Sequence, residues 1–405
     1  MMFMTACGST QTPTGDASPG TAPDTKTTAP ANTDDDEGGK LIVGCPQPLT
    51  GTNAMVGDAA LKGAQLAVKQ INDAGGILGK QLELVVYDDQ ASPEEAVKIA
   101  TKMIEVDKVD WICGSLISSC MLAAGQYYEE AGIITFGTGL SSTWMEKDWS
   151  YVFRACPNSG FAMPILAQYM KDMGIQKISI FQGQDDSSAS GADDMRAACK
   201  EIGIEVLTSE TYVEGDTDYS GQIGKIINSK PDAVFSSTFS VTQSAFAKQL
   251  RQFGYKGLVF NKETLSADNI KVAGDASNYW AFMFPYITYA SIEECDVPVI
   301  KKFLEAYYEE FNEMPFHDCA YRTYDSMMVM AKAAEIAGTI DSEAVRDAVS
   351  TISDFEGLGG TYDFTRGDRE GIHSFNAFIV VDEKIVGLDK WIEDGEYEKL
   401  KASIG

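Results

Sequence analysis

Residues 41–89 read LIVGCPQPLTGTNAMVGDAALKGAQLAVKQINDAGGILGKQLELVVYDD, which parses as a strand, a polar loop, an amphipathic helix and a second strand. Leu41, Ile42 and Val43 make a short continuous apolar run of the kind that suits a strand buried on both faces, and residues 82–87 repeat it. Between them Ala60, Leu61, Ala64, Ala67, Val68 and Ile71 recur at three- and four-residue spacing, one apolar stripe on a helix. Gly75, Gly76 and Gly79 end that helix, because glycine accepts the left-handed conformations the turn needs. The unit predicts a parallel sheet with right-handed crossovers. In such sheets ligands sit beyond the carboxyl ends of the strands, so the loop at residues 46–57 is expected to form one rim of a small-molecule site.

The same alternation continues along the chain. A helix from Pro93, a strand at 109–113, a helix from about Ser118 and a strand at 132–136 follow. A second series has a helix at 161–173, a strand at 177–181, a helix at 193–202, strands near Glu205 and Ala233, and a helix at 243–253. Strands at 257–260 and 279–284, with a short helix between them, complete it. This order predicts an α/β fold with two parallel sheets covered by helices on both faces. Long helical patterns at 297–311 and 320–337 then interrupt the alternation.

Composition narrows the function. A chain of 405 residues with 44% hydrophobic residues holds more than one core, so two domains are expected. No run of 18 apolar residues is present to span a membrane. A net charge of −28 argues against nucleic acid as a partner, since that affinity rests on Lys and Arg contacts to phosphate, and against adsorption to anionic lipid. An enzyme reading finds little to use. The two histidines, His317 and His373, have no motif partner and read as surface or packing residues. No G-x-S-x-G, Walker or GxGxxG phosphate loop appears, and no cofactor is implied.

Residues 8–39 contain no aromatic residue and no Leu, Ile or Val, so they cannot bury enough surface to fold and read as a disordered linker of roughly 30 Å as a coil. Just before them, Met4-Thr5-Ala6-Cys7-Gly8-Ser9 resembles the end of a bacterial lipoprotein signal, with Cys7 as the lipidated residue and methionine where leucine is usual. Only six residues precede Cys7, too few for a complete signal, so the start reads as truncated or misplaced. Seven further cysteines, Cys45, Cys113, Cys120, Cys156, Cys199, Cys295 and Cys319, lack Cys-x-x-Cys spacing, which argues against a metal cluster and a full disulfide framework. Most sit in apolar company, as buried free thiols do, and a Cys113–Cys120 pair stays open.

Taken together, the strings PLTG, Gly57-Asp58, KGAQLAVKQINDAGGILGKQLELVVYDD and PEEAV resemble the opening of bacterial leucine/isoleucine/valine-binding proteins, the solute receptors of ABC importers. The likeness runs, more thinly, from about Lys40 to the C-terminus. It implies a type I periplasmic-binding-protein fold: two lobes joined by three crossing segments, near residues 154–157, 284–287 and 374–377. Lobe 1 would hold residues 40–155 with 288–374, and lobe 2 residues 156–287 with 375–405. Residues 1–39 would be signal and tether, anchoring the protein to the outer face of the cell membrane. The implied partners are a small-molecule ligand, an amino acid above all, and a permease with its ATPase subunits. A ligand-sensing receptor of the same fold, or a receptor for amides or another small polar solute, is the alternative.

The resemblance also assigns a site. Ser118, after strand DWICGSL, falls where a serine binds the ligand carboxylate, with Leu116 and Ile117 beside the ligand side chain. A helix start favours an anion there, although Ser118 or Ser119 capping its own helix is the plain reading. Gly139 falls where a backbone carbonyl meets the ligand ammonium, and Ser141 where a hydroxyl meets both charged groups. Glu263 matches the carboxylate that pairs with the ammonium, and Phe239 the aromatic ring that closes over the ligand. Val56 and Ser187 or Ser188 stand where amino-acid receptors often carry tyrosines, and Asp185 and Asp186 add charge at the same rim. Those departures enlarge or polarise the side-chain pocket. Trp144 is expected to pack locally.

Overall fold

The computed structural model describes residues 39–404. Strands β1 Lys40–Gln47, β2 Gln81–Asp88, β3 Trp111–Cys113, β4 Thr135–Gly137 and β5 Val152–Arg154 form one sheet in the order β2-β1-β3-β4-β5, parallel throughout. A second sheet begins with β6 Lys177–Gly183, β7 Glu205–Tyr212, β8 Ala233–Ser237, β9 Val259–Asn261 and β10 Trp280–Phe284. After a separate hairpin, β11 Phe355–Gly357 with β12 Gly360–Tyr362, come β13 Asn376–Val381 and β14 Lys384–Gly387. The second sheet runs β14-β13-β10-β9-β8-β6-β7. Each sheet is the centre of one lobe. The expected lipoprotein signal, Cys7 and tether lie outside the described residues. No helix of the described residues is long and apolar enough to cross a membrane.

The opening unit folds as its pattern predicts. β1 lies between β2 and β3, and Leu41, Val43 and Cys45 are fully buried there. The helix Ala54–Asp73 buries the expected Ala60, Ala64, Ala67 and Ile71, and its buried face extends to Ala59, Gly63 and Leu66. The extra width has a cause far along the chain: the helix Cys319–Ala337 returns to pack on it. At Gly63 the two backbones come so close that a Cβ would stand 2.1 Å from the Ala320 carbonyl oxygen, so no larger residue fits without parting the helices.

Two differences from the sequence reading bear on the site. The helix expected at 193–202 spans Asp186–Ile202, because the Asp185 carboxylate accepts from Ser188 N at 2.9 Å and caps a polar first turn that has no apolar rhythm. The second sheet is mixed: β13 runs antiparallel to β10, and β14 antiparallel to β13. Asp382 and Glu383, both at positive φ, make the tight turn that forces the latter pairing. All seven described cysteines are buried free thiols, as their apolar company suggested, and the pairing left open between Cys113 and Cys120 is not formed.

The chain passes between sheets three times: after β5, after β10, and between β12 and β13. These passages touch one another. Arg154 N donates to Arg369 O at 3.0 Å and Gly371 N to Arg154 O at 2.9 Å, while Asn376 Nδ2 donates to Pro285 O at 2.9 Å. Three adjacent strips form a hinge, which allows the lobes to turn without breaking either sheet.

Candidate ligand-binding site

On lobe 1 the site is built mostly from backbone and short hydroxyls. β3 leads into the helix Ser118–Glu130, whose N-cap is Ile117 and has no side-chain cap bond. Ser118 therefore does not cap its own helix. Its buried Oγ instead accepts from Ser141 N at 3.3 Å, across from the loop after β4. Gly139 makes this approach possible: a Cβ there would lie 2.5 Å from Ser118 Oγ and 3.2 Å from Leu116 O. Ser141 Oγ meets Thr143 Oγ1 at 2.8 Å.

A buried arginine holds the loop from behind. Arg154 Nη1 donates to Gly139 O at 3.0 Å and to Ser141 O at 2.7 Å, while Nε and Nη2 take both oxygens of Glu370 at 2.8 and 2.6 Å. The guanidinium also lies 4.5 Å from the ring of Trp144, which is fully buried and packs locally as expected. The Gly139 carbonyl, expected to face a ligand ammonium, is thus already engaged by Arg154, and the Cys156 thiol approaches it at 3.7 Å as a second, weak donor.

Lobe 2 contributes longer side chains. Glu263 follows β9 and is 2% exposed, and among the described residues its carboxylate receives one long bond, from Gln243 Nε2 at 3.4 Å. Burial pushes the Glu263 carboxyl up from its ordinary value, and the cations Lys262, Arg322 and His317 nearby pull it back. Phe239 is half-buried and packs with Val56, Ala60, Leu116, Ile117, Phe316 and Cys319, an apolar wall shared by the lobes. Beside that wall a cavity of about 550 Å³, part of it open to solvent, is lined by Leu116, Ile117, Ser118 and Phe239. Gly139, Ser141, Glu263 and Val56 do not line this space. Asn53, Asp185, Asp186, Ser187, Tyr212 and Glu214 do, and of these only the two aspartates and Ser187 were marked out in the sequence.

Residues 40–384 match the family described as periplasmic binding protein. The chain belongs to that family. Among its relatives, an amino acid binding protein of Pseudomonas aeruginosa is 26% identical over 241 residues, covering 59% of this chain and 64% of that protein. A Leu/Ile/Val-binding protein homolog of Brucella melitensis is 26% identical over 356 residues, covering 86% and 94%. The branched-chain amino acid transporter substrate binding protein of Streptococcus pneumoniae, solved in complex with isoleucine, superposes with a TM-score of 0.74 at 25% identity, covering 85% of this chain and 97% of that one.

Beside the Arg154–Glu370 pair, this periplasmic binding protein carries a second buried ionic group that the sequence reading missed. Arg322 grips Asp318 through Nε at 2.6 Å and Nη2 at 2.8 Å, and Tyr286 of the second crossing donates to the same carboxylate at 3.1 Å. Arg322 Nη1 reaches Thr138 O at 3.4 Å, beside the Gly139 loop. His317, expected at the surface or in packing, is buried, with Nδ1 2.9 Å from Asp318 Oδ1 and 3.1 Å from Cys319 Sγ. Burial alone would lower its pKa, but Cys319 and Asp318 outweigh that and raise it to about 10. Arg322, with His317, holds the Asp318 carboxyl well below its usual range. The donor atoms of His317, Asp318 and Cys319 lie within 4.8 Å of one another, as metal ligands would. With both Asp318 oxygens on a guanidinium, however, the group is an ion-pair network rather than a cation site. The Asp318–Arg322 spacing of four on a helix was the available signal. His373 meets Asp368 at 2.9 Å and packs on Phe161.

Proposed function

We propose that this chain is the solute receptor of an ABC importer and captures a zwitterionic amino acid by closure of its lobes. The observation that carries this is the pairing of two opposite needs. Ser118 and its helix start, on lobe 1, present a hydroxyl and free N–H groups that suit a carboxylate. Glu263, on lobe 2, is a buried carboxylate with a single long hydrogen bond, a costly state that a ligand ammonium relieves. Ser141 contacts both charged groups, the Gly139 carbonyl takes a share of the ammonium in place of its weak Cys156 thiol contact, and Phe239, Leu116, Ile117 and Val56 form the side-chain wall.

The bodies that close are residues 40–155 with 288–374 and residues 156–287 with 375–405. Direct bonds across the mouth support a closed form: Asn53 Nδ2 to Glu214 Oε1 at 3.0 Å, Ser142 Oγ to Ser190 Oγ at 3.1 Å, and Thr143 Oγ1 to Asp186 at 3.2 Å. Ligand favours this form only by its higher affinity for it. The closed receptor hands its cargo to a membrane permease with ATPase subunits and performs no chemistry on it. Cys7 carries a lipid anchor that keeps the protein on the outer face of the membrane. A thermal-shift screen of amino acids, small amides, sugars and nucleosides tests the reading: an upward shift with at least one amino acid is expected, and shifts with sugars alone overturn it.

A further inference from the structure

The cavity beside Ser118 is acidic in a way that an aliphatic amino acid does not use. Asp185 and Asp186, half-buried at the start of the lobe 2 helix Asp186–Ile202, line it, and Glu214 stands exposed at its mouth. Each accepts hydrogen bonds from neutral donors: Ser188 N at 2.9 Å, Thr143 Oγ1 at 3.2 Å and Asn53 Nδ2 at 3.0 Å respectively. Lys262 approaches this wall, but its Nζ is held by Ser187 Oγ at 2.8 Å and forms no ion pair with the three carboxylates among the described residues. Their oxygens do not converge with those of a third ligand as a metal site would.

A second observation points the same way. Asn53 lines the same cavity and is 5% exposed. Its Nδ2 is committed to Glu214, which fixes the orientation of the amide, and its Oδ1 is left buried with no partner among the described residues. A buried carbonyl without a donor is unfavourable until one is supplied. The far wall of the cavity therefore presents acceptors, while the Ser118 end presents donors.

Resting on the amino-acid reading above, we propose that the ligand carries a second positive charge: an amino acid with a basic side chain, ending in an ammonium or guanidinium. Its carboxylate lies at Ser118 and its aliphatic stem runs along Leu116, Ile117 and Phe239. Its cationic head donates to Asn53 Oδ1 and to Asp185 and Asp186, with Glu214 closing the mouth. The fit follows from chemistry. A long basic side chain buries its methylenes and keeps its head at a polar, partly wet end. Charge-assisted bonds to half-buried carboxylates outrank neutral ones. Leucine leaves Asn53 Oδ1 orphaned, glutamate sets a fourth carboxylate against three, and a diamine offers nothing to Ser118.

Calorimetric titration of the full chain with arginine, lysine, leucine, glutamate and putrescine tests this. Arginine or lysine is expected to bind at least about tenfold tighter than leucine. The Asp186→Asn/Glu214→Gln double variant, checked for an unaltered melting transition, is expected to lower the basic-to-leucine affinity ratio by about tenfold or more. Leucine or glutamate binding as tightly as both basic amino acids, or a ratio unmoved by the double variant, overturns the inference and leaves the amino-acid receptor standing. Binding of putrescine alone, or of none of the five, overturns the inference, and the amino-acid reading falls with it only when the wider thermal-shift screen finds no amino acid either.

Discussion

The two faces of the cleft are made of different material. Lobe 1 offers Ser118, the Gly139 loop and Ser141, held by Arg154 and Glu370 with no freedom to adjust. Lobe 2 offers Glu263, Phe239, Asp185 and Asp186, long or half-buried side chains on the ends of strands and helices. A rigid face suits first docking, and an adaptable face suits closure over whatever has docked. Changes on lobe 1 should therefore cost stability or initial affinity, and changes on lobe 2 should mainly shorten the life of the closed complex.

The largest effect is expected at Arg154. Arg154→Met strips the buried Glu370 carboxylate of its charge partner, leaving it only the Asn158 amide, and releases two loop carbonyls, so urea denaturation should show a loss of about 3–5 kcal/mol. A loss under about 1 kcal/mol would mean that the loop is held by something else. Gly139→Ala comes next. Its Cβ meets Ser118 Oγ at 2.5 Å, so the loop must shift, at a stability cost of about 1–3 kcal/mol with amino-acid binding weakened more than any lobe 2 change weakens it. Unchanged binding would separate the loop from the site.

Ser118→Ala and Glu263→Gln sharpen the contrast itself. Each should weaken amino-acid binding by about tenfold. Stopped-flow measurement should find the Glu263 effect chiefly in the dissociation rate, and equal effects of both variants on association would erase the distinction between docking and closing faces. The smallest effect concerns Asp325, buried on lobe 1 with Tyr362 donating to it. Burial raises its pKa to about 6, the Tyr362 bond opposing. The folded state thus holds this proton more tightly than the unfolded chain, so the contribution is fully present below about pH 4 and is lost as pH rises through about 6. Asp325→Asn should flatten that part of the stability profile, and an unchanged profile would show the carboxyl to be ionised throughout.

What was legible in the sequence was local. The unit at 41–89 betrays itself through strand and helix periodicity and a glycine turn, and its place in the sheet followed. The long patterns at 297–337 showed helices, but where they return is recorded only by pairs far apart in the chain, such as Gly63 against Ala320, Gln70 with Tyr324 and Lys62 with Glu313. The site followed the same rule. Ser118 stands at a strand-to-helix junction that the sequence pattern marks, whereas Arg154 and Glu370 are 216 positions apart and nothing near either announces the other. Asp318 and Arg322 carried a visible helical spacing, but that spacing is common on surfaces, and only the fold buries it beside Glu263. The antiparallel strands at 376–387 were missed because β13 follows a long irregular passage and β14 is a four-residue strand reached through a turn of Asp382 and Glu383, which has no glycine to announce it.

A crystal structure of the chain with its tightest-binding amino acid tests the central claim most directly. The account predicts the ligand carboxylate at Ser118 and Ser141 and its α-ammonium at Glu263, with both lobes in contact with it. A ligand held by one lobe alone, or seated in the separate hollow lined by Ala267, Tyr289 and Ile385, would contradict it.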